Sequence, residues 1–263
     1  MSLGVARDGG VLALTLDRPE KRNALDDAMV AELIDVIDDA GRDESVRVIT
    51  LTGAGADFCG GFDIIARNAA SLERRPRVGS IQRRLPSQAH RLIPLMLAVQ
   101  TPIVCVVRGW AAGIGLHMVL AADVAVAAED ARFWEPFTER GFTPDSGATW
   151  LLPRRIGEVR AREMLLLGRR VEGTEAAAWG MVHSAAPAGE LDSVAADVVG
   201  RLACAPTVAV GLTKWLLHAG ASASLDEQLR HEAFAMELSS RSDDFKEGLA
   251  AFRDRRPPDF RGR

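Results

Sequence analysis

The sequence predicts an α/β fold, and three observations carry that prediction. Val11 to Asp17 and Val46 to Gly53 read as buried strands with an amphipathic helix between them, which makes a strand, helix, strand unit. Thr101 to Gly109 and Asp123 to Trp134 supply further strand-like stretches around a short helix that opens near Gly113. Beyond Gly157 the pattern becomes almost wholly helical, with no second nucleus of strands. Such alternation implies a layered α/β core. The expected division is a core over residues 1–200 and a helical region over 201–263, serving as a layer or arm rather than an independent domain.

Each element has a local reason. The first strand, "VLALTLD", is short and apolar and ends on Asp17. Asp26 to Ala40 places Met29, Leu33, Val36, Ile37 and Ala40 on one helical face, and Gly41 is expected to close the helix. The stretches "TPIVCVVRG" and "DVAVAAEDARFW" are rich in β-branched and small apolar residues, as buried strands are. After Gly157, apolar stripes recur in "VRAREMLLLG", "LDSVAADVVGRLA", "TVAVGLTKWLLHA" and "LDEQLRHEAFAMEL".

At 263 residues, 48% hydrophobic and 26% charged, the chain is long enough for one sizeable core and has an ordinary globular composition. A net charge of −4 and a sequence pI of about 5.8, with no basic motif carrying interleaved aromatics, argue against a nucleic-acid partner. Cys59, Cys105 and Cys204 are odd in number, far apart and without metal-ligand spacing. A reducing compartment, no disulfide and no metal are therefore expected. Charges within the first few residues and Asp17 after a short apolar run exclude a signal peptide or membrane span there, so a cytoplasmic protein is expected. From Arg67 to Arg91, seven arginines face only Glu73, which reads either as a solvated loop or as a rim that meets phosphate.

Two places run from strand-like sequence through glycines toward a helix. In "DFCGGFDI", Gly60 and Gly61 permit backbone conformations closed to other residues and take the Phe62 N–H out of regular strand pairing. In "VRGWAAGIGLHMVLAAD", Gly109, Gly113 and Gly115 surround a helix start whose unsatisfied N–H groups begin near Ile114. Two converging amide donors make an oxyanion hole.

The stretches "LDRPEKRNALDDAMVAEL", "ITLTGAGADFCGGFDI", "TPIVCVVRGWAAGIGLHMVLAADVAVAAEDARF" and "GFTPDSGATWLLPRRIGEVRAREMLLLGRRVEGTEAAAWGMV" resemble, in order and spacing, the crotonase superfamily of enoyl-CoA hydratases and isomerases. The resemblance runs from Val11 to Val182, with a similar tail in "EGLAAFRDRRPPDF". It implies a ClpP-like spiral of ββα units and a C-terminal helical region that builds homotrimers or hexamers as dimers of trimers. It also implies a coenzyme A thioester as substrate, with no permanently bound cofactor and no membrane, and an oxyanion hole made by the Phe62 and Ile114 amides.

The chain departs from the hydratases at the water-activating positions. Those enzymes place two glutamates on the catalytic water, and in register the positions fall on His117 and Phe137, so both carboxylates are missing. Glu135 and Glu139 flank Phe137 and are expected in surface salt bridges. Asp145 remains. Its segment "TPDSGATWLLPR" resembles the turn of epoxyphenylacetyl-CoA isomerases and related enoyl-CoA isomerases, where the aspartate moves a proton along the acyl chain. One carboxylate suffices for that reaction, and burial against Phe137 and Trp150 is expected to raise its proton affinity. The alternative is a helix-capping role.

His117 reads either as a catalytic partner or as a polar spacer beside the acyl pocket. His90 resembles the histidine of 4-chlorobenzoyl-CoA dehalogenases, which carry an aspartate matching Asp145 but a tryptophan in place of Phe137. By the same resemblance Lys21, Arg22, Ala24, Asp63 and Ile64 approach the coenzyme, the Arg253, Arg255 and Arg256 cluster reaches a neighbouring subunit's nucleotide, and Phe137, Phe142 and Trp150 shape the acyl pocket. The leading expectation is isomerase-type proton transfer through a thioester enolate. Its rivals are a hydratase with an atypical site, a hydrolytic enzyme acting on an aryl-CoA or a 1,3-diketone, and an acyl-CoA binder without chemistry.

Overall fold

The computed structural model describes residues 2–64 and 77–263. Arg67, Glu73, Arg74 and Arg75, part of the arginine-rich stretch singled out above, lie outside the described residues.

The main sheet has six strands in the order β1 (Leu3–Asp8), β2 (Val11–Leu16), β3 (Val48–Gly53), β4 (Ile103–Val107), β6 (Val124–Ala128) and β9 (Ser184–Ala186). The β1–β2 pair is an antiparallel hairpin, and every later pairing in this sheet is parallel. Parallel strands covered on both faces read as unbroken apolar runs. β4 is such a strand, with all five residues of "IVCVV" buried. A second, three-stranded sheet is formed by β5 (Trp110–Ala112), β7 (Arg132–Trp134) and β8 (Val171–Glu172).

Helix α1 (Asp27–Arg42) buries Met29, Val30, Leu33, Ile34, Ile37 and Ala40, and the Asp26 side chain caps it by accepting from the Met29 N–H at 2.9 Å. Gly41 does not end it. A Cβ at Gly41 would come within 2.5 Å of Val99 Cγ2, so the glycine makes room for the residue after α3 (Leu92–Ala98). Between these helices lies α2 (Ser80–Arg84), whose Arg83 and Arg84 are exposed.

The stretch Asp123 to Trp134, expected to be strand-like, turns at Glu129 to Ala131 and divides between the two sheets as β6 and β7. The region beyond Gly157 also differs from the expectation. Its helices are accompanied by β8 and β9, and β9 extends the main sheet by pairing Val126 with Ser184. Both strands are too short to show a hydropathy period.

The helices are α4 (Ile114–Ala121), α5 (Ala148–Ile156), α6 (Glu158–Leu167), α7 (Gly173–Ala178), α8 (Leu191–Ala203), α9 (Thr207–Gly220), α10 (Leu225–Ser239) and α11 (Asp243–Asp254). α9 is tied to the core by a buried cation. Lys214 Nζ donates to Met96 O at 2.9 Å and Thr101 O at 3.3 Å, and pairs with Asp123 Oδ2 at 2.7 Å. Among the described residues no single helix is long and apolar enough to cross a membrane.

The packing that places the site is the contact between α4 and the Cys59 segment. A Cβ at Gly115 would stand 2.7 Å from Cys59 O and 2.8 Å from Cys59 Cβ. Backbone cannot retreat there without moving a strand, so Gly115→Ala should destabilise the fold by about 1–3 kcal/mol, the usual cost of overpacking. The midpoint of urea unfolding measures this, and an unchanged midpoint would show that the contact is slack.

Candidate active site

The first glycine bend is built by hydrogen bonds on two sides. Cys59 donates to Trp110 O at 2.8 Å and accepts from the Ala112 N–H at 2.9 Å, which fastens it to β5. On the other side the Gly60 N–H donates to Arg22 O, the Leu25 N–H donates to Gly61 O, and the Asp63 N–H donates to Leu25 O. In a parallel bridge, the residue between two such bonds turns its own N–H and C=O toward the opposite edge. Phe62 is that residue. Gly61, at φ +104°, resets the alternation so that the Phe62 amide faces the same edge as Cys59, the one where β5 runs into α4.

The second bend follows directly. Gly113 at φ +51° donates to Trp134 O at 3.0 Å and caps α4, whose first residue is Ile114. The N–H groups of a first helical turn have no acceptor within the helix. Among the described residues the Ile114 N–H has no hydrogen-bond acceptor. The two bends expected from sequence are thus brought side by side by the Cys59–β5 bonds and the Gly115 contact.

The "KRNAL" turn lies against the first bend. Lys21 Nζ and Arg18 Nη2 both pair with Asp63 Oδ2, at 2.9 and 3.0 Å, and Arg18 Nη1 donates to Ala24 O at 2.7 Å. Lys21, Arg22, Ala24, Asp63 and Ile64 are therefore brought together, and Lys21 already has a carboxylate partner. Asn23 carries no site role in the sequence reading, yet it holds the turn. It is fully buried at φ +53°, accepts from the Arg18 N–H, and donates to Ala54 O and Asp57 O. An asparagine between the charged Lys21–Arg22 pair and the start of α1 was the available signal, because Asn tolerates that conformation.

Asp145 sits in the turn ahead of α5 and does not cap it. The helix begins after Gly147 at φ +93° without a side-chain cap, and the bond closing the turn runs from the Ala148 N–H to the Asp145 backbone carbonyl. The Asp145 carboxylate has no hydrogen bond or ion pair among the described residues. The expected burial against Phe137 and Trp150 is not found, since Asp145 is only half-buried. Trp150 instead packs under Arg154, whose guanidinium lies 4.1 Å from the ring centroid, and beside His218. With Trp150 turned that way, the expected acyl-pocket trio separates. Phe137 and Phe142 meet edge to face at 5.4 Å, while Trp150 lines a cavity of about 360 Å³ together with His90, Ile93, Leu97, Ser146 and His218. His90 Nε2 accepts weakly, at 3.4 Å, from the N–H of Ser146, the residue that follows Asp145.

The largest correction concerns Glu135. It is not a surface residue: it is 1% exposed, and its oxygens lie 3.1 and 3.3 Å from Nε2 of the fully buried His117. Burial pushes its pKa above the ordinary carboxylate range, His117 pulls it back, and the charge of Asp145 adds to the rise. Strand parity was the missed signal, because Glu135 shares a face with the buried Phe133 two residues earlier. Glu139 behaves as expected, half-exposed and 3.7 Å from Arg170. The His117 ring stacks on Phe137 with centroids 6.1 Å apart.

A sequence profile described as Enoyl-CoA hydratase/isomerase matches residues 6–263. The chain belongs to that family. It is 37% identical over 255 residues to the 1,2-epoxyphenylacetyl-CoA isomerase of Escherichia coli strain K12, covering 97% of this chain and 96% of that one. It is 31% identical to 4-chlorobenzoyl coenzyme A dehalogenase-1 of an Arthrobacter species, covering 96% and 91%. The crystal structure of an enoyl-CoA hydratase from Bacillus anthracis superposes with a TM-score of 0.92 at 29% identity, over the whole of both chains. The protein is an enzyme of the crotonase superfamily, and the α/β architecture above is that of the crotonase fold.

Within this enzyme the bend cysteine is inert. Burial pushes the Cys59 thiol up to about 12 and raises Cys105 as well, whereas Cys204 is exposed. An aromatic disulfide reagent at neutral pH should titrate one thiol per folded chain and three after denaturation. Rapid reaction of Cys59 in the folded enzyme would show that the first bend opens.

Proposed function

We propose that the enzyme is an acyl-CoA isomerase that moves a double bond by proton transfer. Asp145 takes a proton from the carbon next to the thioester carbonyl, the electron pair passes into the carbonyl as a dienolate, and the same carboxyl returns the proton to the far end of the migrating double bond. No water is consumed and no second acid is needed. The Phe62 and Ile114 N–H groups meet the negative oxygen, a donor set of which each member typically contributes about a hundred- to a thousandfold in rate. The observation that carries this reading is the Asp145 carboxylate, committed neither to a helix cap nor to a partner among the described residues.

Coenzyme A enters only as part of the substrate, along Lys21, Arg22, Ala24, Asp63 and Ile64. Its phosphates would compete with Asp63 for the half-exposed Lys21 ammonium. The acyl group lies against Phe137 and Phe142, with its distal end toward the Trp150 cavity. We place the enzyme in the cytoplasm as a homotrimer or dimer of trimers joined through residues 201–263. Leu225, Leu229, Phe234, Met236, Leu249 and Phe252 of α10 and α11 are exposed there, and subunit contacts would cover them.

A second reading is hydrolytic, favoured by the His90 contact with Ser146 and by the similarity to the dehalogenase. In it the Asp145 carboxylate attacks the halide-bearing ring carbon of an aryl-CoA and expels the halide, and a water deprotonated by His90 hydrolyses the resulting aryl ester, which releases the hydroxylated product and restores the carboxylate.

Incubation of a β,γ-enoyl-CoA in deuterated, oxygen-18-enriched water separates these readings by mass spectrometry. Isomerisation predicts a migrated double bond without oxygen-18, and Asp145→Asn should lower its rate by about a hundredfold or more. Oxygen-18 in a released product would support hydrolysis. Binding without any turnover would leave an acyl-CoA carrier. Light scattering should give three or six times the chain mass, falling toward one on Phe234→Glu with Phe252→Glu; a wild-type monomer would refute the assembly.

A further inference from the structure

The proton transfer proposed above makes no use of His117 or Glu135, yet the pair is anchored in the helix turn that begins with Ile114. Glu135 follows Trp134, and that short segment holds the first turn of α4 at two points. The Trp134 carbonyl accepts from the Gly113 N–H at 3.0 Å, and the Glu135 carboxylate meets His117 Nε2 at 3.1 Å. The His117 N–H closes the turn onto Gly113 O at 3.0 Å. Ile114 lies between those points. Phe137 completes the clamp, its ring parallel to the imidazole and its Cζ 3.7 Å from where a Gly113 Cβ would stand.

We propose that His117 and Glu135 form a positioning dyad, which fixes the direction of the Ile114 N–H and keeps the wall behind the enolate oxygen free of net charge. The inference rests on the amide-pair reading above.

Charge explains why both partners are needed. A lone buried carboxylate behind a developing oxyanion would oppose it, and a lone imidazolium in the first turn of a helix is disfavoured by the helix dipole. A proton shared between Nε2 and the carboxylate, with the ring's other hydrogen on Nδ1, leaves the pair neutral. The charged groups acting on Glu135 are His117 from α4 and Asp145 from the turn ahead of α5, so without His117 the repulsion from Asp145 would be left unopposed. His117 Nδ1 is buried and has no partner among the described residues, so Glu135 is the ring's only polar tether there.

The test compares His117→Leu, Glu135→Leu and the double variant by urea unfolding and by the infrared band of hexanoyl-CoA carrying carbon-13 at its thioester carbonyl. Each single variant should be less stable than the double, because each leaves one buried polar group unpaired. The double variant should regain stability, while the bound carbonyl band returns toward its position in water. Its kcat for β,γ-enoyl-CoA should fall about tenfold or more with little change in KM, as misplacement of a reacting geometry does. Glu135→Gln should keep more of the band shift than Glu135→Leu, since an amide can still accept from the ring. A polarised wild-type band that the double variant leaves unchanged, or equal losses in the Gln and Leu variants, would overturn the dyad alone. An unpolarised band in the wild type would overturn the amide-pair reading, and the dyad with it.

Discussion

The site depends on how closely two stretches of backbone approach. Cys59 is bonded to Trp110 and Ala112, and Gly115 of α4 leaves no room for a Cβ against Cys59. Those contacts bring the end of one bend to the start of a helix, with positive φ at Gly61 and Gly113 turning the next amides toward a common edge. Backbone dipoles held this way need no reorganisation when charge develops, which is the condition under which hydrogen-bond donors accelerate a reaction most. In the proposed oxyanion hole the main-chain N–H groups of Phe62 and Ile114 act, and their side chains are incidental.

Around this frame the enzyme deploys buried charge in two ways. Lys214 is anchored by Asp123 and by two backbone carbonyls, so its cost of burial is offset by saturated hydrogen bonding, and it locks α9 onto the core. The His117–Glu135 pair is joined through Nε2 alone, and Nδ1 is unpartnered among the described residues. A fully satisfied ion belongs to the architecture. An incompletely satisfied one beside a helix start is the arrangement expected where geometry is held for chemistry.

Much of this was legible in the sequence because it follows from backbone rules. The unit from β2 through α1 to β3, the opening of α4 at Ile114, and the convergence of the two glycine bends all rest on periodicity and on glycine. What escaped depended on tertiary packing. Gly41 looked like a helix stop and instead accommodates Val99. The strands β8 and β9 have too few residues to register as a pattern, and the run from Asp123 to Trp134 hid a turn between two sheets. Glu135 has the residue type of a surface position because a carboxylate is usually exposed, although alternation from Phe133 points inward. Asp145 was found by its motif, but its half-buried setting and the turning away of Trp150 were not, since neither leaves a local signature.

The most direct measurement of the central claim is a crystal structure of the enzyme with an acyl-CoA thioester bound. The account predicts the thioester oxygen within about 2.7–3.1 Å of both the Phe62 and Ile114 nitrogens, with the Asp145 carboxylate over the carbons beyond it. A thioester oxygen bound by water or side chains, with those two nitrogens pointing elsewhere, would contradict it.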